Sequence, residues 1–432
     1  MKLKNSKYNY FTMHGDVVIL YNFLFKNMIE FSLEEFEEVR NILNKNIITE
    51  SNRIVSVLNQ NMFLVDLDFN ELEYFKYNYY KSLYNSSVFK NTVLPTLSCN
   101  LECPYCYEYK RNISMDDKTI NAYISWVTPF LADVKNFYID WFGGEPLLRL
   151  DIIAKITDKI YKVQEDLKFN YCSSITTNGV LMSKEIIKKF EACSIEGVQV
   201  TFDGDMSYHN QYRKTTSKND TFNTLMENVN TYCEFSRAKT ALVIRVNVTD
   251  ENFTSIETLL DRFTEKVKKR SVFIFRWIYE SSAANFRQFS NKRRGLKPFE
   301  NLSILYQLAI DKGCLTLNLD EHANFNFCEC DFTNHYTIDP EGNVYLCTQS
   351  FDVRESIGTV FKKQFELNRM SFYYTTANIN PFNNQDCLEC KLLPMCKGGC
   401  RKAAYLGKRM CIEQKDSIDK YLEILHNKYA RC

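Results

Sequence analysis

The apolar run Val93-Leu94-Pro95-Thr96-Leu97 leads, one residue on, into Cys99-Asn100-Leu101-Glu102-Cys103-Pro104-Tyr105-Cys106. These eight residues read C-x3-C-x2-C and begin where a strand should end. Thiolates at such spacing select zinc or an iron–sulfur cluster. A structural zinc site takes four protein ligands, and this loop supplies three. None of the five histidines (His14, His209, His322, His335 and His426) is near it in sequence. A cubane held by three cysteines keeps one iron without a protein ligand, and chemistry can happen there.

Around this loop the chain alternates strand and helix through residues 91–300. Short β-branched or aromatic runs predict strands over residues 93–97, 136–142, 173–177, 198–202, 242–248 and 272–277. Helical periodicity fills the gaps, at 116–132, 152–166, 184–192, 221–235 and 255–268. Six β/α units of this size predict an α/β fold, a parallel sheet curled into a partial (β/α)6 TIM-like barrel. Ligands in such folds sit beyond the carboxyl ends of the strands. There the chain places the cysteine loop, Gly143-Gly144-Glu145-Pro146, Thr177-Asn178-Gly179, Asp203-Gly204-Asp205 and Asn247. Each alone reads as a turn; five at one rim read as a site. The basic stretch 292–298 reads as a solvated linker or exposed loop.

Residues 1–90 carry no cysteine and read as a separate module. Strands are expected at 8–13, 17–25 and 28–31. Ser32 with Glu35 forms a capping box for a helix through Leu43. Residues 54–58 form an element of undecided type, and Asn70 caps a further helix through Leu72, Phe75 and Tyr79. The module is either a packing extension or a winged-helix-like peptide-recognition module whose sheet edge accepts an extended peptide.

Residues 301–432 hold ten of the sixteen cysteines. Asp339-Pro340-Glu341-Gly342-Asn343 marks a hairpin between two short strands. Cys328 and Cys330 precede it and Cys347 ends it; Cys387-x2-Cys390-x5-Cys396-x3-Cys400 follows, then Cys411. These thiols can fill two four-ligand sites, of zinc or of iron and sulfur. A segment with so little periodicity depends on its metals for folding. Cys432 receives no role.

Bulk properties narrow the class. The length of 432 residues predicts two or three domains. A formal net charge of +1 argues against nucleic acid or an anionic membrane as partner. No run approaches a membrane span, and the first residues lack the apolar core of a signal peptide. A cytoplasmic location follows, where clustered cysteines read as metal ligands rather than disulfides.

Cys99, Cys103 and Cys106, with Tyr105 before the third, resemble the signature of radical S-adenosylmethionine (SAM) enzymes. Gly143, Gly144, Glu145 and Pro146 resemble that family's GGEP motif, 36 residues further on. The late cysteines resemble the SPASM extension: Cys328, thirteen residues, Gly342, four residues, Cys347, then C-x2-C-x5-C-x3-C and a last Cys411. Residues 1–90 resemble, more weakly, the leader-binding element fused to maturases of ribosomally made peptides.

The resemblance implies three [4Fe–4S] clusters. Cys99, Cys103 and Cys106 hold the first, whose open iron chelates SAM and whose electron releases a 5′-deoxyadenosyl radical. Gly143–Pro146 lie at the methionine amino group. Asn178, Asp203 and Arg213 face the ribose and carboxylate, and Tyr105 the adenine. Cys387, Cys390, Cys396 and Cys411 hold one auxiliary cluster. Cys328, Cys347 and Cys400, with or without Cys330, hold the other. The implied partners are a precursor peptide with a leader and an electron donor such as flavodoxin or ferredoxin. The implied activity is a crosslink in the peptide, thioether ahead of carbon–carbon. Two alternatives stand beside it. One is an anaerobic sulfatase maturase making formylglycine, although Thr348 stands where that family commonly has Asp. The other is a non-enzymatic iron–sulfur or zinc protein, which leaves the GGEP loop unexplained.

Overall fold

The computed structural model describes residues 2–108, 110–215, 220–236, 242–278, 298–316, 328–349, 353–362, 379–405 and 411–429. The basic stretch 292–297 and Cys432 lie outside them.

Ahead of the barrel the chain has a second apolar core, drawn from Leu3 to Leu64, while Phe75, Tyr79 and Leu83 join the main core. Strands β1 (Leu3–Asn5), β2 (Asn9–His14), β3 (Val17–Asn22) and β4 (Met28–Ser32) are followed by helices α1 (Leu33–Leu43) and α2 (Arg53–Gln60), strand β5 (Leu64–Asp66) and helix α3 (Glu71–Leu83). β2, β3 and β4 form an antiparallel sheet, and β1 pairs with β5. The capping box is present: Ser32 accepts from the Glu35 amide, and Glu35 accepts from the Ser32 amide. Asn70 caps α3 by accepting from the Glu73 amide at 3.2 Å. Val18, Leu20, Phe36, Val39, Leu58 and Phe63 close the apolar interior. The undecided element at 54–58 is α2. Its Val55 and Leu58 are buried three residues apart, a helical rather than an alternating spacing.

The barrel sheet is parallel and runs β6 (Val88–Thr96), β7 (Asn136–Gly143), β8 (Asn170–Thr176), β9 (Ile195–Phe202), β10 (Leu242–Val248) and β11 (Ser271–Trp277) in spatial order. Residues such as Val93, Trp141, Val200, Val246 and Phe275 are fully buried, as expected where helices cover a parallel sheet. Helices α4 (Asp117–Val127), α5 (Leu150–Leu167), α6 (Lys184–Ala192) and α8 (Thr221–Phe235) match the expected gaps, with a short α7 (Met206–Tyr212) after β9. The single helix expected at 255–268 is two, α9 (Ile256–Arg262) and α10 (Glu265–Arg270). Thr264 restarts the second by capping the Val267 amide.

The sheet does not stop at residue 300. Helix α11 (Pro298–Asp311) leads to β12 (Leu315–Thr316), which pairs in parallel with β11. On the opposite edge β13 (His335–Ile338) pairs in parallel with β6. β14 (Asn343–Tyr345) and β15 (Gly358–Thr359) extend the sheet to ten strands. The hairpin read in the cysteine-rich segment is therefore part of the barrel sheet. A final helix, Ile418–Tyr429, packs on the N-terminal sheet: Tyr10 donates to Asp419 at 3.0 Å, and His426 meets Glu30 at 2.6 Å.

Candidate functional site

The loop at residues 99–106 leaves the carboxyl end of β6, and the GGEP turn leaves β7 beside it. The two are joined by backbone: the Glu145 amide donates to the Ser98 carbonyl at 2.8 Å, and the Gly144 amide to Thr96 at 3.2 Å. Side chains have no room there. A Cβ on Gly143, at φ +102°, would lie 2.5 Å from the Thr96 carbonyl oxygen; one on Gly144 would lie 2.3 Å from that of Ser98. The Glu145 carboxylate is buried and engaged. It accepts from the Leu147 amide at 3.0 Å, the Thr177 hydroxyl at 2.7 Å and the Asn178 amide at 2.8 Å. Glu145 thus braces the turns after β7 and β8, and the glycine backbone is what the motif presents to the rim.

Asn178 stands over the first cysteine. Its side-chain amide donates to Asn100 at 2.7 Å and lies 4.0 Å from the Cys99 sulfur. Tyr105, Asp203 and Arg213 form one buried network. The Tyr105 hydroxyl donates to Asp203 and accepts from Arg213 at 2.8 Å. Arg213 lies 3.8 Å from Asp203. Burial raises the Asp203 carboxyl, against the pull of Arg213 and the bonds from Tyr105 and Asn247.

One residue noted in the sequence joins this network, and two were missed. Asn247, noted only as a strand end, donates to Asp203 at 3.0 Å and to Tyr105 at 3.3 Å. Arg245, unremarked in the sequence, donates to Asn247 at 2.9 Å and orients that amide. His209, also unremarked, accepts from the Asp203 amide at 3.4 Å; burial, then Arg213, holds its imidazole well below the usual range. Alternation along β10 was the available signal for Arg245, since it shares a face with Asn247. Nothing in the local pattern singled out His209.

Burial pushes the loop thiols up, Cys99 to about 11 and Cys106 to about 12. A bound cationic group reverses that penalty, because ligation takes the thiolate. Arg213 also keeps a buried Nε without a partner beside the loop. Three thiols with an unsatisfied cationic donor at a strand-end rim suit a cluster with an anionic co-ligand. Among the described residues no three His, Cys, Asp or Glu side chains converge as around a single metal ion; a cubane needs a wider cage.

The late cysteines gather in two groups. Cys387, Cys390, Cys396 and Cys411 line one cavity, with Lys415 donating to Cys411 at 3.6 Å. Cys330 is in thiol contact with both Cys328 and Cys347, and Cys400 feels the charges of Cys328 and Cys347. Thr348 follows Cys347 and donates from its hydroxyl to Glu329 at 3.2 Å.

A parallel partial barrel with a three-cysteine loop at its first strand end, braced by a glycine turn at its second, defines a cluster-dependent radical enzyme class. Residues 93–263 match the Radical SAM superfamily, so the chain carries a Radical SAM domain, an enzyme domain that works with SAM and a [4Fe–4S] cluster. The cysteine-type anaerobic sulfatase-maturating enzyme of Clostridium novyi (strain NT) is 25% identical over 333 residues, 71% of this chain and 85% of that protein. The radical SAM cyclopropyl synthase TigE of Paramaledivibacter caminithermalis is 23% identical over 368 residues, 75% of this chain and 72% of its own. Among solved structures, anSMEcpe with bound AdoMet and the Cp18Cys peptide aligns with TM-score 0.59 and 19% identity, over 80% of this chain and 97% of its own. Streptococcus suis SuiB bound to precursor peptide SuiA aligns with TM-score 0.52 and 18% identity, over 93% of this chain and 95% of its own. At these identities the structural likeness speaks for the fold. No helix among the described residues is long and apolar enough to cross a membrane.

Proposed function

We propose that this chain is a radical SAM peptide maturase that installs an intramolecular crosslink in a leader-guided precursor peptide. Thioether is favoured and a carbon–carbon link is the variant. The observation that carries the reading is the N-terminal unit. The SuiB alignment leaves 7% of this chain unmatched, about thirty of 432 residues, so most of residues 1–90 fall inside it. The anSMEcpe alignment leaves 20% unmatched, about the size of that unit. Its sheet has edges to offer, since among the described residues β2 and β4 pair only with β3, and Phe11 and Met13 on β2 are exposed. An extended leader adds to such an edge through main-chain hydrogen bonds.

Cys99, Cys103 and Cys106 hold the SAM cluster in this reading. Gly143 and Gly144 bring their backbone to the methionine group, and Glu145 keeps that turn in place. Asn178, Asp203 and Arg213 take the polar groups of SAM, with Tyr105 and Asn247 orienting them. When bound, the cluster and SAM supply a carbon radical that takes hydrogen from an unactivated C–H bond. Residues 301–432 are the SPASM domain in this reading. Cys387, Cys390, Cys396 and Cys411 hold one auxiliary [4Fe–4S] cluster, and Cys328, Cys330, Cys347 and Cys400 the other, with all four ligands from the protein. Closing either crosslink removes two hydrogens from the peptide, one as an atom to the carbon radical and one as a proton, and a cluster held by these cysteines would supply the acceptor for the remaining electron. An external one-electron protein donor such as ferredoxin or flavodoxin reduces the enzyme, in the cytoplasm.

The test is reconstituted enzyme, dithionite, SAM and the peptide encoded by the neighbouring short reading frame. The expected product is lighter by two hydrogens, with deoxyadenosine released. Loss of turnover is expected on removing residues 1–66, which spares α3 and β6; undiminished turnover would refute the leader role. A second reading, sulfatase maturation, has one structural observation in its favour. The Glu329 carboxylate lies against Thr348, the position where that family commonly carries Asp. Formylglycine formation in a sulfatase-derived cysteine peptide would establish it in place of the first.

A further inference from the structure

The N-terminal unit reaches the late cysteines through a buried polar contact. Tyr79 on α3 donates from its hydroxyl to Asp331 at 3.1 Å and accepts from Arg401 at 2.9 Å. Arg401 grips the same carboxylate with two nitrogens, Nε and Nη2, each at 2.7 Å. Such a two-point fork fixes orientation as well as distance. The side chains of Arg401 and Asp331 are 1% and 3% exposed, so the pair is inside the protein.

The sequence neighbours of these residues are what give the contact meaning. Asp331 directly follows Cys330, and Arg401 directly follows Cys400. Arg401 also donates to the carbonyls of Lys397 at 2.9 Å and Gly399 at 3.2 Å. Lys397, Gly398 and Gly399 all have positive φ, at 53°, 93° and 70°. A Cβ on Gly398 would lie 2.8 Å from the guanidinium. Arg401 therefore braces the turn between Cys396 and Cys400, cysteines that belong to different groups. A buried ion pair contributes little net stability, but removing one member leaves a charge uncompensated. Here the pair holds two cysteine loops in register, and a residue of another unit closes it.

We propose that Tyr79, Asp331 and Arg401 are positioning residues through which the N-terminal module sets the geometry and redox behaviour of the first auxiliary cluster. This rests on the reading of Cys328, Cys330, Cys347 and Cys400 as its ligands. Groups in the shell outside the ligands tune a cluster through hydrogen bonding and charge. Docking of the module is thereby felt at the cluster that takes up the product's electron.

The experiment is a redox titration followed by electron paramagnetic resonance, on reconstituted full-length holoenzyme with iron and sulfide quantified. Tyr79→Phe keeps the ring and removes the hydroxyl. Arg401→Lys keeps the charge and breaks the fork. Phe36→Leu loosens the N-terminal unit's own core, where Phe36 meets Phe11 at 4.8 Å, away from α3 and the polar contact. The expected result is a shifted potential and altered signal of one auxiliary cluster in the first two variants, with the SAM-cluster signal unmoved. Phe36→Leu should leave all signals in place. Selective loss of iron from one site in Tyr79→Phe, with the others retained, also supports the proposal. Unmoved auxiliary signals in both polar variants would overturn it, as would an equal shift in Phe36→Leu. Wild-type iron sufficient for a single cluster would instead overturn the auxiliary-cluster reading itself, so the two failures are distinguishable.

Discussion

The loop at residues 99–106 and the cysteines of residues 328–411 use the same side chain in two different frameworks. The first loop sits at the end of a nine-residue strand, β6, inside a sheet of buried apolar residues. Backbone bonds from the GGEP turn and the Tyr105 network shape it. The late cysteines lie on elements of three to five residues, such as 3-10 turn Glu329–Asp331 and helices Gln385–Glu389 and Leu393–Cys396. Their positions are held by one buried ion pair and by turns in left-handed conformations. The contrast teaches that a site which must bind an exchangeable co-substrate is built on the rigid sheet. On the proposed reading the late cysteines only hold clusters, and such a site can rely on the cluster for its order.

The sharpest way to break this comparison is to remove one ligand on each side. Cys103→Ala is expected to abolish deoxyadenosine release altogether. Cys390→Ala is expected to keep peptide-independent deoxyadenosine release while losing crosslinked product; chromatography and mass spectrometry of one reaction read both. Iron removal comes next. Apo-protein under limited proteolysis should be cut within residues 328–411 while the barrel resists, and equal cutting in both regions would erase the distinction. Gly144→Ala is smaller in effect but tests the backbone brace. The new methyl meets a main-chain oxygen that cannot swing aside. A stability loss of about 1–3 kcal/mol is expected from such overpacking, visible in thermal unfolding, together with weaker SAM binding by equilibrium dialysis.

The smallest effect concerns pH. His209 is buried neutral beneath Asp203, with its imidazole held well below 6.5 in the fold. Above 6.5 neither folded nor unfolded histidine carries a proton, so no penalty applies. Below 6.5 the unfolded state takes a proton that the folded state refuses, and stability falls as pH falls. One proton corresponds to a slope of about 1.4 kcal/mol per pH unit. His209→Gln should flatten that slope in denaturant titrations between pH 6.5 and 5. An unchanged slope would mean that the barrel rim opens before the histidine charges.

Much of the barrel was legible in the residues. β10, α6 and α8 have the expected bounds, because short apolar strands and capped amphipathic helices carry their own period. The loop cysteines and the glycine turn were legible for another reason: each motif answers a local requirement, a set of ligands or a position without a Cβ. Less legible were β12 and the place of β13 in the barrel sheet, since these strands of two and four residues take their place only by pairing with β11 and β6.

By itself the sequence determined the alternating β/α order, the three-thiol loop and the capped helices of the N-terminal unit. Each of these is written in neighbours a few residues apart. Only the tertiary structure decided that Tyr105 and Asn247, 142 residues apart, share Asp203. It likewise decided that Glu145 braces its neighbours, and that Tyr79 of the first module closes an ion pair between residues 331 and 401. Such contacts are settled by which strands lie side by side and which buried charges must find a partner, and no local pattern records either.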